Sequence, residues 1–118
     1  MATDLMTVLF FPENASPRKA VVSCEEPESS QELVEGDFTH MRLKNGLLLV
    51  CNEDAIRLEM EPNRVVPPAL SGWFDPWRST IRGPFFIQRD DETDLTESEI
   101  KYLLHAFGDT LEESREVE

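Results

Sequence analysis

Five arginines, both tryptophans and five of the eight prolines fall between Arg57 and Arg89, in a chain that is otherwise strongly acidic. The acids of that stretch are Glu59, Glu61 and Asp75, so it carries +2 while the remaining residues carry −15. A guanidinium fork binds carboxylate or phosphate through two parallel hydrogen bonds and also lies flat on aromatic rings. Asn52, Arg57, Asn63, Arg64, Arg78 and Arg82 are therefore candidates for holding an anionic ligand, with Trp73, Phe74 and Trp77 as a candidate interface. The competing reading is that these arginines pair with the chain's own carboxylates while the tryptophans fill core.

Other chemistry finds less support. His40 and His105 have no neighbouring acid–nucleophile pair in sequence, which favours structural over catalytic histidines. Asp90, Asp91, Glu92 and Asp94 imitate a calcium loop in charge, but the glycine and the closing glutamate are missing; acids just ahead of a helix complement its dipole. No phosphate-cradling glycine loop or nucleophile elbow occurs. Cys24 and Cys51 stand 27 positions apart, outside any CxxC pair and away from histidines at zinc spacing. Cys51 closes the apolar run Leu47–Val50 and reads as a buried reduced thiol. These residues imply no cofactor and no metal, and they leave enzymatic activity open while leaning against it.

The elements that must position these residues belong to one small domain over residues 1–110, followed by an acidic, frayed tail at 111–118. A chain of 118 residues can bury roughly two thirds of its unfolded surface without a disulfide or metal staple. Its net charge of −13 opposes direct binding to nucleic acid. There is no basic-then-apolar leader and no run of membrane-spanning length, so a cytoplasmic protein is expected.

Thr7–Phe11 reads as a first strand near an edge or at the amino end of a sheet, returning through a turn at 13–18 into Lys19–Ser23. Ser29 and Glu32 form a capping box for a short helix near 29–35 that ends on Gly36. Phe38–Leu43 and Leu47–Cys51 make a hairpin across a two-residue Asn45-Gly46 turn, its second arm apolar enough to be central. Arg57–Glu59 offers a brief return, prolines then forbid any long element, and a last strand lies at Phe85–Gln88 with Pro84 suiting its start or an edge. Thr96 and Glu99 cap a C-terminal helix near 96–107, with Leu95 stapled to Ile100 and Gly108 as terminator. The expected fold is α+β, with a mostly antiparallel sheet of about four to six strands.

The order of motifs LLLVCNEDAIRLEMEPNRVV, IRGPFFIQRDD and DLTESEIKYLLHAF resembles the domain-of-unknown-function 3846 family of small bacterial and phage proteins. Asn52-Glu53, Asn63-Arg64, Gly83–Phe86 and Gly36 carry the resemblance, which covers roughly residues 29–108. The tryptophan loop at 71–79 is longer than that pattern. The resemblance implies a bacterial or phage setting and promotes Asn52, Asn63 and Arg64 as site residues, but supplies no activity. The functional expectation is a small acidic, non-enzymatic binding or accessory protein. It would take an anionic ligand or a protein partner through the Asn/Arg/Trp region, whose loop could also support a homodimer. Alternatives are an acidic decoy or inhibitor of a nucleic-acid-binding or host-defence protein and, more weakly supported, a nucleotide-acting hydrolase using His40 or His105.

Overall fold

A computed structural model describes residues 5–71 and 80–109. The tryptophan loop and the acidic tail, with Trp73, Phe74, Trp77 and Arg78, lie outside the described residues. Among the described residues, seven strands and three helices follow one another as β1 Leu5–Phe11, β2 Arg18–Ser23, α1 Pro27–Val34, β3 Phe38–Arg42, β4 Leu47–Asn52, β5 Pro62–Val65, α2 Pro68–Ser71, β6 Thr80–Arg82, β7 Phe85–Arg89 and α3 Glu97–Phe107. The fold is α+β, as the sequence predicts. Five strands form an antiparallel sheet ordered β2-β1-β7-β4-β3, and β5 pairs with β6 in a separate ribbon.

The last strand in sequence is the middle strand in space. In β7, Phe85 and Ile87 point to one side of the sheet and Phe86 and Gln88 to the other, all four buried. Pro84 sits just ahead of the strand, so its missing N–H interrupts no ladder bond. Along β1, Leu9 and Phe11 join the first side while Met6, Val8 and Phe10 join the second. Each side then acquires a cover: Val34 of α1 closes one, and Leu70, Ile81, Ile100 and Leu103 close the other. Phe11 stacks on Phe85 at 4.7 Å between ring centres, and Phe107 of α3 tilts against both. The first strand is thus interior, between β2 and β7, and the apolar β4 is covered on both sides as its composition demands.

α3 matches its sequence signature. Thr96 Oγ1 accepts from the Glu99 amide at 3.1 Å, and Glu99 Oε1 accepts from the Thr96 amide at 2.9 Å. Ahead of it, Asp94 Oδ1 takes the Thr7 amide at 2.7 Å and the Leu95 amide donates to the Thr7 carbonyl at 3.1 Å. β1 meets β7 only from Leu9 onward, so residues 94 and 95 satisfy the backbone of β1 beyond the end of that ladder.

Three local expectations need correction. α1 begins at Pro27, whose missing N–H costs nothing in a first turn; Ser29 Oγ instead accepts from the Ser23 amide at 2.8 Å, so no Ser29–Glu32 box forms. The helix ends on Glu35 in the left-handed region, with Gly36 just beyond it at φ 152°. The β3–β4 loop has three residues, because the Leu43 amide already donates to the Leu47 carbonyl; Asn45 and Gly46 still take the positive φ angles of 66° and 73°. Residues 57–59 are a turn, closed by bonds such as Leu58 N to Asp54 O at 2.8 Å, and not a strand.

Asn52 holds α1 to the sheet. Its side chain is 4% exposed, and Nδ2 donates to the carbonyls of Val34 and Glu35 at 3.0 and 3.3 Å while Oδ1 accepts from the Asp54 amide. Asn52→Asp keeps the acceptor, removes the donor and buries a carboxylate against two carbonyl oxygens. Urea unfolding should show a loss of about 3 kcal/mol or more; a loss under about 1 kcal/mol would mean the anchor is dispensable.

Candidate functional site

The five ligand-binding candidates among the described residues do different jobs. Asn52 is the helix anchor described above. Asn63 sits at an irregularity of β5, where the pairing with β6 shifts between Pro62 and Arg64. Such a bulge re-aims a side chain. Asn63 Nδ2 donates to the carbonyls of Phe11 and Gly83 at 3.0 and 2.9 Å, tying the ribbon to β1 and to the turn before β7. Its oxygen in turn accepts from Arg64 Nη1.

Arg64 is held on every side. Nε and Nη2 donate to the two carboxylate oxygens of Asp109 at 2.8 and 3.3 Å, and Nη2 also reaches the Ala15 carbonyl at 2.8 Å. The guanidinium carbon lies 5.6 Å from the centre of the Phe11 ring. A bidentate, half-buried fork of this kind is the strong form of an ion pair. It joins the ribbon, the β1–β2 turn and the exit of α3.

Arg57 and Arg82 face outward instead. Arg57 pairs with Asp54 at 3.1 Å and stays largely exposed; Arg82 donates to the Met60 carbonyl at 3.1 Å. In the same stretch of sequence, Ile56, Leu58 and Val65 are 81%, 48% and 60% exposed. Asn52, Asn63 and Arg64 therefore serve the frame, whereas Arg57 and Arg82 lie beside open apolar surface.

The acid cluster is also organised from within. Arg89 donates to both oxygens of Asp91 and, through Nη1, to Glu99 at 2.7 Å. The Arg89 hydrogen bond first, then the Thr93 hydroxyl, hold the Asp91 carboxyl well below the usual carboxylate range. No cluster of His, Cys, Asp and Glu suited to a metal occurs among the described residues. The exposed His40 stands with Phe38 on the α1 side, ring to ring at 5.6 Å, while His105 lies on α3 across the sheet.

Two concavities open on the α1 side. The larger, about 370 Å³, lies between the last turn of α1 and the β1–β2 hairpin, with Phe10 and Leu33 in its wall and Arg18 stacked over Phe10 at 4.9 Å. The smaller, about 160 Å³, lies between the first turns of α1 and the sheet and is lined by Ser30, Phe38, His40 and Gln88. Neither Ser30 nor Gln88 stands out by sequence motif. The available signal was one glutamine inside the otherwise apolar run Phe85–Gln88.

The family model for Domain of unknown function (DUF3846) matches residues 6–108, from β1 to the glycine that ends α3. The chain belongs to this family. No curated protein and no solved structure matches it. The DUF3846 match takes in both the asparagine–arginine frame and the two concavities. Among the described residues, no helix is long and apolar enough to cross a membrane.

Two outcomes test this description. Single and double replacements Arg64→Ala and Asp109→Ala should show a coupling of about 1–3 kcal/mol in a urea-unfolding cycle, with Arg64→Lys no substitute for the fork. Cys51 is buried and its thiol is pushed up to about 11 by loss of solvation. Its folded-state value lies above the unfolded one, so stability should fall as pH rises from about 9 toward about 11. Below that window Cys51 should resist alkylation of the folded chain, which mass spectrometry would read as a protected peptide.

Proposed function

We propose that this chain is a non-enzymatic binding protein whose contact surface is formed by the 53–60 turn and the β5–β6 ribbon, and that its partner is a protein carrying carboxylates beside apolar side chains. The supporting observation is the exposure of Ile56, Leu58 and Val65 in the stretch that also holds the outward-facing Arg57 and Arg82. Large apolar groups accompanied by arginine are characteristic of protein contacts rather than of ordinary acidic surface. In sequence the same stretch carries Trp73, Phe74, Trp77 and Arg78, residue types enriched at binding hot spots. A small-anion clamp has less support, since the Arg64 fork is already engaged by Asp109.

A photo-crosslinking amino acid placed at Ile56 or Val65 in the native cell should give a discrete adduct. The same probe at Val21, about as exposed as Val65 but on β2 at the edge of the five-stranded sheet, should not. Arg57→Glu with Arg82→Glu should remove the adduct while leaving the melting temperature within a few degrees, because both arginines are at the surface. Adducts of equal strength at all three positions, or none at Ile56 and Val65, would sink the reading.

A further inference from the structure

We propose that the smaller cavity, between the first turns of α1 and the sheet, is a binding site for one uncharged adenine-type base, presented free or as its nucleoside. Two polar side chains that are more than nine-tenths buried meet its space. Gln88, on the central strand, is 5% exposed, and Ser30, on α1, is 7% exposed. Gln88 Nε2 gives one proton to the Arg89 carbonyl at 3.2 Å, and its Oε1 accepts from no described group. The Ser30 hydroxyl likewise makes no hydrogen bond to a described residue. Every fully enclosed side-chain nitrogen or oxygen among the described residues has a partner, so the open Gln88 oxygen and Ser30 hydroxyl are accessible from the cavity they line.

The open half of the Gln88 amide faces the cavity, so an occupant that displaces solvent there must match its hydrogen bonds. The amide retains one acceptor and one donor. That pair complements an exocyclic amino group beside a ring nitrogen, the way carboxamide side chains read adenine.

Size and charge narrow the occupant. About 160 Å³ is well below the roughly 300 Å³ at which drug-sized sites begin, and suits a single ring system. Phe38 and Met6 give the cavity apolar wall against which a flat ring can lie. Glu92 stands on its lining and the chain carries −13, so a phosphate attached to the base would be repelled.

The test is a nitrogen–proton correlation NMR titration of the full chain with adenosine, and with adenosine monophosphate. Adenosine should give saturable shifts at the Gln88 side-chain amide and at the backbone amides of Ser30, Phe38 and His40, leaving α3 unmoved. Gln88→Leu, and separately Ser30→Ala, should each weaken binding by about tenfold, and the monophosphate should bind more weakly than adenosine. Ser30→Ala keeps the test decisive if the strand variant fails to fold. No saturable shift at millimolar adenosine, or binding unchanged by Ser30→Ala, would overturn the proposal.

Discussion

The guanidinium of Arg64 is the joint on which the outer half of this structure depends. The five-stranded sheet supplies its own ladder, but the β5–β6 ribbon is a separate two-stranded unit, and isolated ribbons of that kind are marginal in water. Ile81 buries one side of it in the core, and it is tied further through Asn63, which reaches β1 and the turn before β7, and through Arg64, which reaches the exit of α3 and the β1–β2 turn. The two residues are bonded to each other, so neither can reorient alone. Phe11 lies beneath the charge and gives it an apolar seat that excludes water from one side.

The same economy recurs at Asn52. Both asparagines close backbone groups that no strand or helix partner reaches, which buried peptide groups require. Residues with the look of ligand contacts can thus arise from the internal demands of a small two-sided sheet. What remains at the surface of that region, Ile56, Arg57, Leu58, Val65 and Arg82, has no comparable internal task.

Legibility in the sequence followed the range of the interaction. α3 was readable because its capping box, staple and terminal glycine lie within a few residues of one another, and the β3–β4 hairpin because Asn45-Gly46 marks its turn locally. The α1 start was misread since Ser29 has two suitors: a capping partner three residues on, and the Ser23 amide, which geometry favours. Nothing local announces that β7 lies between β1 and β4, because Pro84 looks the same ahead of a central strand as at an edge. Likewise, Asn63 and Arg64 read as ligand contacts until Phe11 and Asp109, 52 and 45 positions away, are seen beside them. Gln88 and Ser30 acquire meaning only once α1 is laid across the sheet.

The strand order has a consequence for synthesis. The hairpins β1–β2 and β3–β4 are local and can each close soon after they leave the ribosome, yet they share no ladder; β7 is the strip that joins them. Until residues 85–89 emerge, the inner edges of β1 and β4 present unpaired amides and carbonyls flanked by apolar side chains, the arrangement that invites pairing between chains. The sheet is therefore completed by late insertion rather than by stepwise growth. A chain stalled or cut before Phe85 leaves two sticky half-sheets, which makes it a substrate for chaperones or proteases rather than a smaller version of the same fold.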